Sequence, residues 1–342
     1  LLFTVKPGDV IPAMVFVVLS NFGYAAGENF VSSFLPDIAR PEEMGRVSGY
    51  AWGFGYVGGI LSLVLSLLLI TRFGTGSGTD TTLPVRLTFL VTAAFFAVAA
   101  LPTFLWLRER RRNVAGPGET GVAARPPTGA FRASFGRLAA TYRKLGAFKE
   151  LMKFLVSFLM FNSGIQVVVA FAAIFAQKEL GFTPGMTVVL IIVVNITAAA
   201  GAMLFGMVQD RIGPKKTVLI TLLIWITTVI TAYFIRSRDL FWIVANLAGL
   251  AMGASQASAR ALIGLFSPPS KSAEFFGFWG FSGKFSAILG ILTFGALSYR
   301  FTSNRLAILS TIFFFFFGIV FLLLVDEERG RRAAVEYVDE RG

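Results

Sequence analysis

The chain has 342 residues, 55% of them hydrophobic and only 15% charged, with 37 Phe. A soluble core of this size does not need so apolar a sequence, whereas a bundle of membrane-crossing helices does. The net charge of +12 would point to nucleic acid in a soluble protein, but basic loops held on one side of a membrane account for it, so no nucleic-acid partner is expected.

The chain contains neither Cys nor His. Disulfides, thiolate or imidazole metal sites and a histidine proton relay are thereby removed, and neither metal nor cofactor is expected.

Each crossing takes about 20 apolar residues. In chain order the runs lie near 10–34, 46–70, 84–107, 151–176, 184–207, 216–235, 240–266, 274–298 and 304–325, which predicts an all-α integral membrane bundle. The outer loop Gly74-Thr-Gly-Ser-Gly78 reads as flexible and polar. The longest loop, 108–149, opens on Arg110-Arg111-Arg112 and ends in an amphipathic run. There Phe131, Phe135, Leu138, Tyr142, Leu145 and Phe148 recur every three or four residues, with Arg and Lys on the other faces. It predicts a helix along the membrane surface with its bases toward lipid phosphates. The expected divisions are therefore 1–107 (three helices), the basic linker 108–149, 150–326 (six helices) and a tail, 327–342.

Between the fifth and sixth runs stands a charged island, Gly206-Met-Val-Gln-Asp-Arg-Ile-Gly-Pro-Lys-Lys216. Gly206 and Gly213 permit a tight reversal, and Pro214 can open the next helix. Arg211, Lys215 and Lys216 place this loop on the cytoplasmic side. Alternation then gives cytoplasmic segments 20 Lys and Arg against eight outside, and puts the C-terminus in the cytoplasm. The island resembles the loop motif found between the second and third helix of each six-helix half in the major facilitator superfamily. Pro214 stands where that family usually has a base.

A shift of 228 residues lays Pro41 on Pro269, Gly49 on Gly277, Gly55 on Gly283, Ile60 on Ile288 and Leu61 on Leu289. Such duplication is common in transporters. The same shift would put a second copy of the island before Leu1. The nine runs then read as the last three helices of one half followed by a whole second half, with three helices missing at the N-terminus.

Two stretches narrow the likeness. One is Asn21-Phe-Gly through Ser33-Phe-Leu-Pro-Asp-Ile-Ala39 with Arg46 to Tyr56. The other is Gln256-Ala-Ser-Ala-Arg260, Ala273-Glu-Phe-Phe-Gly277 and Ser282 to Gly290. Both are similar to bacterial relatives of the autophagy-related vacuolar amino-acid effluxers. The resemblance implies a secondary transporter of a small polar solute, with amino-acid efflux as the family's association, in a bacterial inner membrane. In that family the seventh helix often carries an acid where this chain has Ser163 in Phe161-Asn-Ser-Gly-Ile-Gln166.

Polar residues inside apolar spans are functional candidates. Glu28 falls opposite Gln256 under the repeat shift and could bind a polar cargo or take up a proton. Lys284 lies near mid-span and is a candidate anion partner or ion-pair member. Asn162 and Gln166 share one helix face and suit cargo binding or packing. For the single amides Asn195 and Asn246, helix packing leads. Gly49, Gly53, Gly55, Gly59, Gly277, Gly280, Gly283 and Gly290 read as close helix contacts, and Phe313 to Phe317 as a lipid-facing run. Gly283-Lys284 lacks the spacing of a phosphate loop, and no nucleophile elbow occurs, so no enzyme is expected. The alternative class is a non-transporting scaffold or sensor, and a monomer in the bilayer is the expected assembly.

The sharpest expectation is a latch. Asp210 is predicted to face the helix start at Arg46 to Gly49, where free N–H groups favour an anion, and to pair with Arg260.

Overall fold

The computed structural model describes residues 1–6, 8–73, 82–107, 148–301 and 303–337. Among them are helices and 3-10 turns with no strand, and nine candidate spans. The helices are α1 (Val10–Ser33), α2 (Leu35–Ile38), α3 (Met44–Phe73), α4 (Thr82–Trp106), α5 (Lys149–Leu180), α6 (Pro184–Ile212), α7 (Pro214–Phe234), α8 (Arg238–Phe266), α9 (Ser272–Phe301), α10 (Asn304–Leu309), α11 (Thr311–Leu323) and α12 (Glu327–Glu336). All nine expected runs are found, and the ninth is split at Ser310 into α10 and α11. The Gly74–Gly78 loop and all of the linker but Phe148 and Lys149 lie outside the described residues.

The repeat survives in the backbone. The 3-10 turn Pro41–Glu43 leads into α3, and the 3-10 turn Pro269–Lys271 leads into α9; both turns and both helices correspond under the shift of 228. Prolines start these turns because a fixed φ suits a helix entry.

Two compact units divide the chain. One holds Leu1–Glu28 and the segment from Phe54 through α4. Arg86 anchors the 3-10 turn Leu2–Thr4 there, its Nε donating to the Phe3 carbonyl at 2.6 Å while the guanidinium lies over the Phe3 ring. The spans of α1 and α4 have no buried residues in their most apolar windows.

The other unit holds Asn29–Gly53 and the helices from α5 onward. Here α6 packs most extensively on α8, while α9 and α11 flank α5 and α7 lies on α8. The α6–α8 seam is built from small residues: a Cβ on Gly201, Gly249 or Gly253 would strike the opposite backbone or Thr197. Aromatic rings fill the core around α5, with Phe154, Phe158, Phe161, Phe266 and Phe275 all buried. The Phe313–Phe317 run is not wholly lipid-facing. Phe313, Phe316 and Phe317 are exposed, but Phe315 is buried, stacks on Trp225 and presses on Gly164, because a helix turns successive side chains by 100°.

Candidate functional site: a helix-end clasp and a polar trio

Helix α6 runs unbroken to Ile212, and the reversal is made by Gly213 alone, at φ 90°. Gly206 is therefore not a turn residue. It lies inside the helix, where its missing side chain lets α3 approach. A Cβ on Gly206 would lie 2.7 Å from the Gly45 carbonyl oxygen, and one on Gly49 would collide with the Ala202 carbonyl.

This approach brings Asp210 to the first turn of α3. The Gly45 N–H donates to Asp210 Oδ1 at 2.8 Å, and the Arg46 N–H donates to Oδ2 at 3.1 Å. A helix start carries unsatisfied donors and a positive dipole end, so a carboxylate completes it. The side chain of Arg46 turns away to Glu43, at 2.6 Å.

Arg260 does not pair with Asp210. Among the described residues the partners of Asp210 are the two amides. Arg260 grips the same helix one turn further in: Nη2 donates to the Ser48 carbonyl at 2.7 Å and Nε to Ser48 Oγ at 3.0 Å. Its guanidinium also lies over the Trp52 ring, 5.5 Å from the centroid. Three residues of helix separate Ser48 from Gly45, about 4.5 Å at 1.5 Å per residue, so the two charges bind successive turns of α3. Ser48 Oγ in turn donates to the Ala257 carbonyl of α8 at 2.7 Å.

The loop bases divide. Arg211 and Lys216 are exposed. Lys215 instead closes the far end of α11, with Nζ donating to the carbonyls of Val325 at 2.5 Å and Leu323 at 3.3 Å. Its backbone N–H donates to Glu327 Oε2 at 3.2 Å.

A second polar group lies among α5, α8 and α9. Asn162 Nδ2 donates to Ser286 Oγ at 2.5 Å, and Gln256 Nε2 donates to Asn162 Oδ1 at 3.4 Å. Ser286 Oγ donates to the Gly283 carbonyl at 2.7 Å. Asn162 and Ser286 are buried. The structure thus joins Asn162 and Gln256. It gives Gln166, one turn along from Asn162, and Lys284, two residues before Ser286, no hydrogen bond or ion pair among the described residues. Gln166 is half-buried and Lys284 is exposed. An ion pair therefore does not account for Lys284. Glu28 lies in the first unit, on α1, a turn beyond Tyr24.

The single amides do not bridge helices. Asn195 and Asn246 donate to carbonyls of their own helices, at Ile191 and Trp242. Ser163 likewise bonds back to Leu159, and its carbonyl packs where Gly290 leaves room. Of the other glycines, Gly280 makes room for Asn29 and Gly53 for Met203, but Gly55, Gly59 and Gly277 face open space.

Sequence reasoning missed Ser48, Ser286, Glu150 and Glu327. Glu150 is buried at the start of α5, accepting from Lys153 Nζ at 2.9 Å and from the Asp326 N–H at 2.7 Å. An acid opening an apolar run was its only signal. The serines gave none, since hydroxyls are common in spans.

Residues 1–335 match the family model described as "Vacuole effluxer Atg22 like". The chain belongs to this family. Over 87% of its length this Atg22-like chain is 25% identical to an uncharacterized MFS-type transporter, YxiO, of Bacillus subtilis, covering 67% of that protein. Over 98% of its length it is 24% identical to autophagy-related protein 22 of Yarrowia lipolytica, of which it covers 59%. The chain spans about half to two thirds of the length of such relatives. Among solved structures it resembles the Escherichia coli fucose:proton symporter FucP, with a TM-score of 0.65, 14% identity, and coverage of 87% of this chain and 73% of that one. The human organic anion transporter MFSD10 gives a TM-score of 0.59 at 15% identity, covering 86% of this chain and 67% of that one. These likenesses show the major facilitator fold.

Proposed function

We propose that the protein is a secondary transporter that moves a small polar solute across a membrane by alternating access. The clasp carries this reading: a carboxylate on α6 closes the start of α3 through two hydrogen bonds and a glycine contact, with no covalent tie. Such a junction is strong enough to hold one side shut, yet can open as a unit. Hydrogen bonds to a charged group contribute about 1.5–3 kcal/mol, within reach of cargo binding energy.

Cargo contacts are assigned to Gln166, Lys284, Asn162 and Gln256, with Lys284 suited to an anionic group. Glu28 is the proton-coupling candidate. Amino acids are the first cargo class to test and efflux the first direction, following the family description. The excess of bases at the Asp210 end favours a cytoplasmic position for that end and for the C-terminal tail, in a bacterial inner membrane, with the protein acting as a monomer. No enzymatic step is assigned.

The test is solute flux by the full-length protein in liposomes, across an amino-acid panel, with and without a pH gradient. A saturable flux lost in Lys284→Ala and Gln256→Ala supports the reading. Absence of any gradient-dependent or exchange flux overturns it in favour of a scaffold. Glu28→Gln leaving gradient-driven flux intact would remove the proton role alone.

A further inference from the structure

A cavity lies inside the later unit, apart from the clasp and the polar trio. It has a volume of about 260 Å³ and is walled by α5, α6, α7 and α8, with Ile308 of α10 at its edge. Its floor is buried: Trp225, Val229, Phe241, Val244 and Ala245. Its mouth is accessible at Val169 of α5 and Ile191 of α6.

The lining contains no charged residue, and its polar side chains are Asn195 and Thr228. The Thr228 hydroxyl donates to Ile224 of its own helix. Asn195 donates its N–H to the Ile191 carbonyl, and its Oδ1 accepts from no described residue. One amide oxygen, on the partly exposed Asn195 that lines the chamber, is thus left as an acceptor. Pockets between bundle helices, largely apolar with a few fixed polar groups, are the usual form of small-molecule sites. An apolar cavity of about 150 Å³ stays dry and takes up benzene. This chamber is larger and open at its mouth, with room for a bicyclic ring.

We infer that this chamber binds a compact, neutral, apolar molecule bearing one hydrogen-bond donor, seated with the donor on Asn195 Oδ1. A zwitterion or an ion would leave its charges unpaired against these walls, which is prohibitive in so apolar a site. The chamber therefore selects a different chemistry from the polar trio. An indole-sized ring, as an independent ligand or as one part of a larger molecule, fits its volume and its single acceptor. The inference does not depend on the transport reading.

The experiment uses the full-length protein in nanodiscs with 5-fluoroindole as probe and 1-fluoronaphthalene as the donor-less control, read by fluorine NMR. Saturable binding of 5-fluoroindole is expected, abolished in Ala245→Phe, which fills the floor. Asn195→Leu should weaken 5-fluoroindole roughly three- to tenfold, the value of one hydrogen bond, and leave 1-fluoronaphthalene unchanged. Ala173→Leu, at the mouth, serves should Ala245→Phe fail to fold. Binding that is non-saturable, or equal in wild type and in the filled variant, is lipid partitioning and overturns the inference. Equal loss of both probes in Asn195→Leu overturns the donor assignment.

Discussion

The two copies of the repeat differ most where they are most alike in backbone. In each, a proline-led 3-10 turn enters a 30-residue helix, α3 or α9. In each, the turn and helix start hold an i,i+3 ion pair at corresponding positions, with the signs exchanged: Glu43–Arg46 at 2.6 Å in the first and Lys271–Glu274 at 3.3 Å in the second. The second copy places its own acid, Glu274, in the first turn of its helix. The first copy places a base there and takes its anion from elsewhere, as Asp210. A helix start needs negative charge, and the two copies meet that need from different sources. Importing the acid ties α3 to α6. The glycines agree, for Gly49 touches Ala202 and Gly206 while its counterpart Gly277 faces open space.

The largest expected contrast is therefore between Gly49→Ala and Gly277→Ala. The first forces a methyl group into the α6 backbone and should destabilise by about 1–3 kcal/mol, as overpacking does. The second meets nothing among the described residues and should be neutral or stabilising, by up to about 0.5–1 kcal/mol, because Ala is the better helix former. Thermal unfolding of this chain in detergent checks both. Equal effects would break the comparison.

Next comes Asp210→Ala against Glu274→Ala. Losing Asp210 strips the acceptor from two amide donors and should cost about 1.5–3 kcal/mol at the junction. Losing Glu274 removes a favourable dipole contact and takes an ion-pair partner from the buried Lys271, a cost that falls on α9 and not on the α3–α6 contact. The chain has no Cys, so a single introduced Cys at Ala202 can report opening of the α3–α6 contact by thiol labelling. Labelling should rise in Asp210→Ala and stay low in Glu274→Ala.

Much of this was legible in the sequence. Apolar run length gave the spans, and spaced glycines and prolines gave the repeat, because both follow from bilayer thickness and backbone sterics. Asp210 at a helix start could be foreseen, since an acid there has few other stable partners. The partner of Arg260 could not, because half of it is the Ser48 carbonyl, and backbone acceptors leave no mark in a sequence. Charge matching between Arg260 and Asp210 was the wrong rule, because the first turn of α3 offers Asp210 two amide donors. The Asn162–Gln256 contact was half visible, as two amides in different spans, but Ser286 was not. Glu327 was read as part of a solvated tail because only tertiary contact buries it.

A smaller effect is expected from the polar trio. In a double-mutant cycle, Asn162→Ala and Ser286→Ala should couple by about 0.5–1.5 kcal/mol, the net value of a hydrogen bond. Gln166→Ala, which makes no such bond, should not couple to Ser286→Ala. Coupling of both would mean that the trio is not the unit the distances describe.

The smallest effect concerns pH and the tail helix. Glu327 accepts from the Lys215 N–H, but burial outweighs that bond and holds its carboxyl above the ordinary 4.5. A raised carboxyl favours the docked helix when protonated. That stabilisation is fully present below the ordinary value and is lost as pH rises through the folded one. Asp326 runs the other way. It caps α12 by accepting from the Arg329 N–H at 3.0 Å, and this bond holds its carboxyl below the ordinary 3.8. Its contribution is present above that value and fades only as pH falls below it. The two windows do not overlap, so above pH 4.5 Glu327 governs. A spin label on Val335→Cys, a site 76% exposed, should become more mobile as pH rises through this range. Glu327→Gln keeps an acceptor for Lys215 and cannot ionise, so its label mobility should be flat. A wild-type label that does not loosen, or a Gln variant that loosens equally, would show that Glu327 does not set the docking of α12.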